Sequence, residues 1–109
     1  MAARRMKTYS AESGYVFEYA LAAEPSPGTY DFEVSWDRKL LHLVKVVFAP
    51  EELTQAPLDV LNSVERYAVA KLAMRMAFDR CDNPEVLLRG PVRPERKDVD
   101  EILRTLDLL

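Results

Sequence analysis

Residues 30–48, YDFEVSWDRKLLHLVKVVF, decide the fold. Tyr30, Phe32, Val34 and Trp36 fall at every second position, with Asp31, Glu33, Ser35 and Asp37 between them. A period of two is that of a β-strand, whose successive side chains point to opposite faces, so this strand buries one face and wets the acidic other. Leu40 to Phe48 reads as a further strand, and the intervening Asp37-Arg38-Lys39 is too short for a parallel crossover, so the two form a hairpin. Loop parity then sets which side chains share a face, because a one-residue slip moves a strand's whole set to the other side. A three-residue loop places Phe32 beside Val44, Tyr30 beside Val46, Trp36 beside Leu40 and Asp31 beside Lys45, which collects one apolar face and one cross-strand ion pair. A loop of two or four residues would put Lys45 among the aromatics and leave Val44, Val46 and Phe48 with the acids. The odd loop is therefore expected, with His42 on the core side near Val34.

Upstream, Tyr15, Phe17, Tyr19 and Leu21 alternate with Val16, Glu18, Ala20 and Ala22, which makes an earlier strand. Pro25-Ser26-Pro27-Gly28 reads as the connection between them. Downstream, Pro50 to Leu53 suits one helical turn, which Pro57 interrupts. Asn62-Ser63-Val64-Glu65 has the spacing of a capping box and opens a helix that runs to Cys81, with Asp82-Asn83-Pro84 as its stop. A second connection, Gly90-Pro91-Val92-Arg93-Pro94, leads to a last helix, where Asp98 and Glu101 repeat the cap spacing before a stripe of Ile102, Leu103, Leu106 and Leu109. The expected fold is α+β: a three-stranded antiparallel β-meander packed on one long helix, with a short C-terminal helix. It occupies residues 1–109 as a single domain, with a basic N-terminal arm over 1–8, the sheet over 14–48, the main helix over 62–81 and the C-terminal helix over 98–108.

The composition agrees with one core, because 109 residues of which 49% are apolar are enough for a single domain and too few for two. The formal net charge of −3 is unlike that of a dedicated nucleic-acid binder. No apolar run approaches a membrane span and no signal-peptide core follows the N-terminus, which leads to the expectation of a soluble, cytoplasmic chain. One cysteine and one histidine exclude an internal disulfide and an ordinary structural zinc site. Gly14, Gly28 and Gly90 are isolated and form no phosphate-cradling loop, so no cofactor is expected.

On the main helix, Val64, Tyr67, Met74 and Phe78 share one apolar side, the one expected to lie on the sheet. Ala68, Val69, Leu72 and Met76 make a second apolar side, and Ala70, Ala73 and Ala77 add a strip of small residues. A helix this apolar must be covered on more than one side. The C-terminal helix covers part of it, and a second copy of the chain, meeting Ala68, Val69, Leu72 and Met76, is the expected cover for the remainder.

Few side chains suggest chemistry. His42 has no second histidine to form a dyad and reads as a packed strand residue. Asp31 and Glu33 stand about 7 Å apart on one strand face, a spacing seen in glycosidase carboxylate pairs, yet a shared wet face gives both the same environment and no division into acid and base. Cys81 ends the main helix, where the dipole disfavours a thiolate. Tyr9, Tyr15 and Tyr19 read as core or sheet-surface aromatics. Arg89, Arg93, Arg96 and Lys97, with Arg4, Arg5 and Lys7, could line a surface for phosphates or an acidic partner, but the acidic strand face opposes nucleic acid. The expected role is a non-catalytic, self-associating interaction domain, most simply a homodimer. The alternatives are a nucleic-acid-associated regulator using the basic N- and C-terminal segments, and a small enzyme with its site at a dimer interface.

Overall fold

In the computed structural model, which describes residues 6–26, 28–48 and 61–108, the opening stretch pairs in the odd register. β3 (Thr29–Ser35) and β4 (His42–Val47) run antiparallel with Phe32 opposite Val44, Tyr30 opposite Val46, Asp31 opposite Lys45 and Val34 opposite His42. The connection is longer than Asp37-Arg38-Lys39, because the last pair is Val34 with His42 and seven residues, 35 to 41, lie between them; four more than expected is an even extension, which preserves parity. Its geometry is set by hydrogen bonds. Asp37 Oδ1 accepts from the N–H groups of Lys39 (2.9 Å) and Leu40 (3.2 Å), and Ser35 Oγ accepts from that of Arg38 (3.0 Å). Arg38 thereby sits in the left-handed region at φ 62°.

β2 (Val16–Ser26) pairs with β3 and extends past the expected end at Ala22. The pairing shifts register between Leu21 and Ala23 and again before Ser26, and such an irregular stretch is where a strand tolerates Pro25. The sheet has four strands where three were expected, because β1 (Lys7–Ser10) pairs with β2 and makes the order β1-β2-β3-β4. Residues 7 and 8, assigned by sequence to a basic arm, are thus part of an edge strand, and short, charged strands are typical of sheet edges. Arg4 and Arg5 lie outside the described residues, as do the expected helical turn Pro50–Leu53 and Pro57.

Helix α1 (Ser63–Asp79) starts at the expected box: Asn62 Oδ1 accepts from the Glu65 N–H at 2.8 Å, and Glu65 Oε1 accepts from the Asn62 N–H at 3.0 Å. It ends two residues before Cys81. Asn83 and Pro84 stop it as expected, but they also open a further single turn, α2 (Pro84–Leu87), with Asn83 Oδ1 accepting from the Glu85 N–H. Helix α3 (Arg96–Thr105) begins earlier than 98 and ends before 108. Asp98 is its third residue rather than its cap, because it accepts from the Glu95 N–H (3.2 Å) and from Arg80. At the other end Asp107 takes φ 58°, and the N–H groups of Asp107 and Leu108 return to the carbonyls of Arg104 and Leu103, a Schellman closure.

The core lies between one sheet face and the helices. Phe17, Tyr19, Tyr30, Phe32, Val34, Val44, Val46 and Phe48 meet Val69, Ala70, Ala73, Met74 and Phe78, with Val99, Ile102 and Leu103 added from α3. Phe78 is the central wedge. Its ring stacks on Phe17 at 4.1 Å between centroids and meets Tyr19 edge-on at 5.7 Å. The connection before α3 belongs to the sheet as well: Val92 donates to the Lys45 carbonyl (2.7 Å) and accepts from the Val47 N–H (2.9 Å), adding a parallel bridge outside β4.

Val64, expected against the sheet, is 74% exposed. It lies one step beyond Phe78 around the helix, past the edge of the buried arc. Phe78→Ala should therefore lower unfolding free energy by about 3 to 5 kcal/mol through the lost packing and the cavity, while Val64→Ala should stay within about 0.5 kcal/mol of the parent. Urea midpoints of the two variants measure this. Equal midpoints would show that the buried arc is wrongly placed.

Candidate functional site

The second apolar side of α1 is largely covered from within the chain. Val69 is fully enclosed, and Ala68, Leu72 and Met76 are half-buried, with α3 supplying Val99, Ile102 and Leu103. The expected interface of Ala68, Val69, Leu72 and Met76 thus has its Val69 sealed inside the fold, because the C-terminal stripe packs where a partner was anticipated. One ion pair fixes α3 in place: Arg80 donates twice to the Asp98 carboxylate, at 2.9 and 3.1 Å, and the Asp98 side chain is only 7% exposed. The Arg80 guanidinium holds the Asp98 carboxyl below the usual carboxylate range against the opposing effect of burial.

Beside this contact is a cavity of about 210 Å³ lined by Tyr9, Leu72, Arg75, Met76, Asp79, Ile102 and Thr105. Its polar groups serve one another. Tyr9 Oη donates to the Asp79 carboxylate (2.9 and 3.0 Å), which also accepts from the Glu12 N–H (2.9 Å). The Arg75 guanidinium lies over the Tyr9 ring at 4.8 Å and donates to Tyr19 Oη at 3.0 Å. Burial and then Asp79 push the Tyr9 phenol up, so it stays a donor. Ser13 Oγ donates to the Phe78 carbonyl (2.7 Å) and Tyr15 Oη to that of Asp82 (3.3 Å). Together these bonds latch the β1–β2 hairpin to the C-terminal end of α1, which gives Tyr9, Tyr15 and Tyr19 a structural task.

The basic residues are distributed over three places. Arg89 follows α2, Arg93 follows the Val92 bridge, and Arg96 and Lys97 open α3. All four are exposed, and Lys97 stands 3.5 Å from Glu95. On the outer sheet face Asp31 is paired with Lys45 at 2.7 Å and Glu18 with Arg38 at 3.4 Å. Cys81 is buried, and that burial pushes its thiol up, away from the thiolate form. Tyr30 Oη is enclosed, and burial followed by the neighbouring Glu24 carboxylate raises its phenol above the ordinary range.

The least ordinary surface is the β3–β4 end of the sheet. Leu40, Leu41 and Leu43 are 63%, 60% and 59% exposed, and Trp36 is 37% exposed. A cavity of about 330 Å³ opens beside them, lined by Trp36, Asp37, Leu40, His42, Glu85, Leu88 and Arg89. His42 is on the core side, as the register requires, but at its rim, where it looks into this cavity. Sequence reasoning read Leu40 to Phe48 as a strand with one apolar face and did not follow Leu41 and Leu43 to the other. The signal was present: Leu41 and Leu43 share parity with Lys45, two leucines on the face the acids had marked as wet. Among the described residues no group of three or more His, Cys, Asp or Glu side chains is placed to hold a metal ion, and no helix is long and apolar enough to cross a membrane.

Asp98→Asn should destabilise the fold by about 1 kcal/mol near neutral pH, a modest value because Arg80 is more than half exposed. A carboxyl with a depressed folded pKa stabilises above its unfolded value, about 3.9, and that stabilisation is lost as pH falls through the folded value. The gap between parent and variant should accordingly close below about pH 4. Denaturant unfolding at neutral and acidic pH checks this, and a constant gap would contradict it. Compared with protein-family models, curated proteins and solved structures, the chain matches no family model, no curated protein and no solved structure.

Proposed function

We propose that this chain is a non-catalytic interaction domain that self-associates as a homodimer. The observation that carries the reading is the apolar patch of Trp36, Leu40, Leu41 and Leu43 at one end of the sheet. Leu40, Leu41 and Leu43 are each more than half exposed, and clustered exposed apolar residues are often functional. Burial of this surface is favourable in proportion to its area.

The polar clusters support the same reading. Tyr9, Arg75 and Asp79 hold a hairpin to a helix, Arg80 and Asp98 hold two helices together, and Asp31 and Lys45 tie two strands. Each has a sufficient structural explanation. Leu41 and Leu43 have none within the described residues, because Leu43 faces away from the helices that cover the other side and Leu41 is exposed just before it.

Light scattering at tens of micromolar should give twice the 12.5 kDa chain mass. Leu72→Lys, on the α1 side that α3 covers, should remain dimeric, whereas Leu41→Lys should halve the mass while keeping its far-UV circular dichroism. A monomeric parent would overturn the proposal, and a Leu72→Lys monomer would return the interface to α1.

A further inference from the structure

The described residues leave one part of the β4 edge open. The bonds of Val92 to the Lys45 carbonyl and the Val47 N–H show that the odd residues of β4 direct their backbone groups away from β3. Val92 covers the edge from Lys45 to Val47. Leu43 shares that outward direction, Leu41 immediately precedes the strand, and no strand among the described residues lies beside them. The opposite edge of the sheet, β1, is short and carries Lys7, a usual protection against strand addition, whereas the Leu41 to Leu43 edge is apolar.

Resting on the self-association proposed above, we infer that two copies join by antiparallel pairing of their β4 edges about a two-fold axis at His42. The open length selects this register. Centring the axis on Leu43 would demand the Lys45 carbonyl already used by Val92, while centring it on His42 uses Leu41 and Leu43 alone. Leu41 then faces the partner's Leu43, and Leu43 the partner's Leu41, each pair exchanging two backbone hydrogen bonds. The four leucine side chains collect on the outer face, and the two histidines meet on the inner face as a non-hydrogen-bonded pair.

Two further features fit a second copy as the occupant. The cavity beside His42 has both signs of charge on its rim, Asp37 and Glu85 against Arg89, and a surface bearing both signs can complement itself across a two-fold axis. A standard interface buries roughly 800 Å² on each partner, and the exposed leucines, the strand backbone and the cavity rim lie adjacent to supply it. The axis also brings the two His42 cavities side by side.

Disulfide trapping tests the register. In a Cys81→Ser background, His42→Cys should oxidise readily to a covalent dimer, because residues opposite each other in a non-hydrogen-bonded pair have Cα atoms about 4.5 Å apart, inside the range a disulfide spans. Leu43→Cys, displaced along the edge from its own copy, should cross-link at least tenfold more slowly. A parent of dimer mass whose His42→Cys variant does not cross-link would overturn this pairing and leave self-association standing. So would faster trapping at Leu43→Cys. A monomeric parent with no trapping at either position would overturn both, and would leave the edge to a different protein.

Discussion

When Phe32 pairs with Val44, the even residues of β3 and β4 turn toward α1 and the odd ones turn away, and the rest of the molecule follows from that division. The even set gives Tyr30, Phe32, Val34, Val44 and Val46 to the core, where Phe78 and Met74 of α1 meet them. The odd set gives the Asp31–Lys45 pair and the exposed Leu43 to the outer face. A single-residue slip would bury Lys45 and expose Val44, Val46 and Phe48, so the register is strongly specified. The same division decides where His42 sits and which leucines remain uncovered.

The helices are fixed to this sheet by short polar links as well as by apolar packing. The β1–β2 hairpin is joined to the end of α1 through Tyr9, Glu12 and Ser13, and α3 is joined to α1 through Asp98 and Arg80. The first uses Asp79 and the Phe78 carbonyl at the C-terminal end of α1, and the second uses Arg80, which caps that end. They explain why a helix with apolar residues over much of its circumference is largely covered inside one chain. Leu40, Leu41 and Leu43 are exposed together at the hairpin end of the sheet, while on α1 Val64 is exposed at its first turn.

Much of this was legible in the sequence because the signals were local. Alternation and loop parity placed β3 against β4, and the Asn62–Glu65 spacing placed the start of α1. What was not legible depended on contacts between distant segments. Lys7 to Ser10 is too short to show a period, and Tyr9 makes sense only with Asp79 in view. Asp98 resembled a cap until Arg80 was found on it, and Val92 joined the sheet from within a stretch that Gly90, Pro91 and Pro94 marked as a connection. The exposed Leu41 and Leu43 were in plain sight, but their parity was outweighed by the apolar run around them.

The central claim is that the open β4 edge at Leu41 and Leu43 closes on a second copy. Amide hydrogen exchange of those two residues, followed by NMR at high and at low protein concentration, tests it most directly. The account predicts slow exchange at high concentration that accelerates on dilution, while the amides of Val44 and Val46, bonded to β3 within the chain, do not change. Fast exchange at Leu41 and Leu43 at every concentration would contradict it.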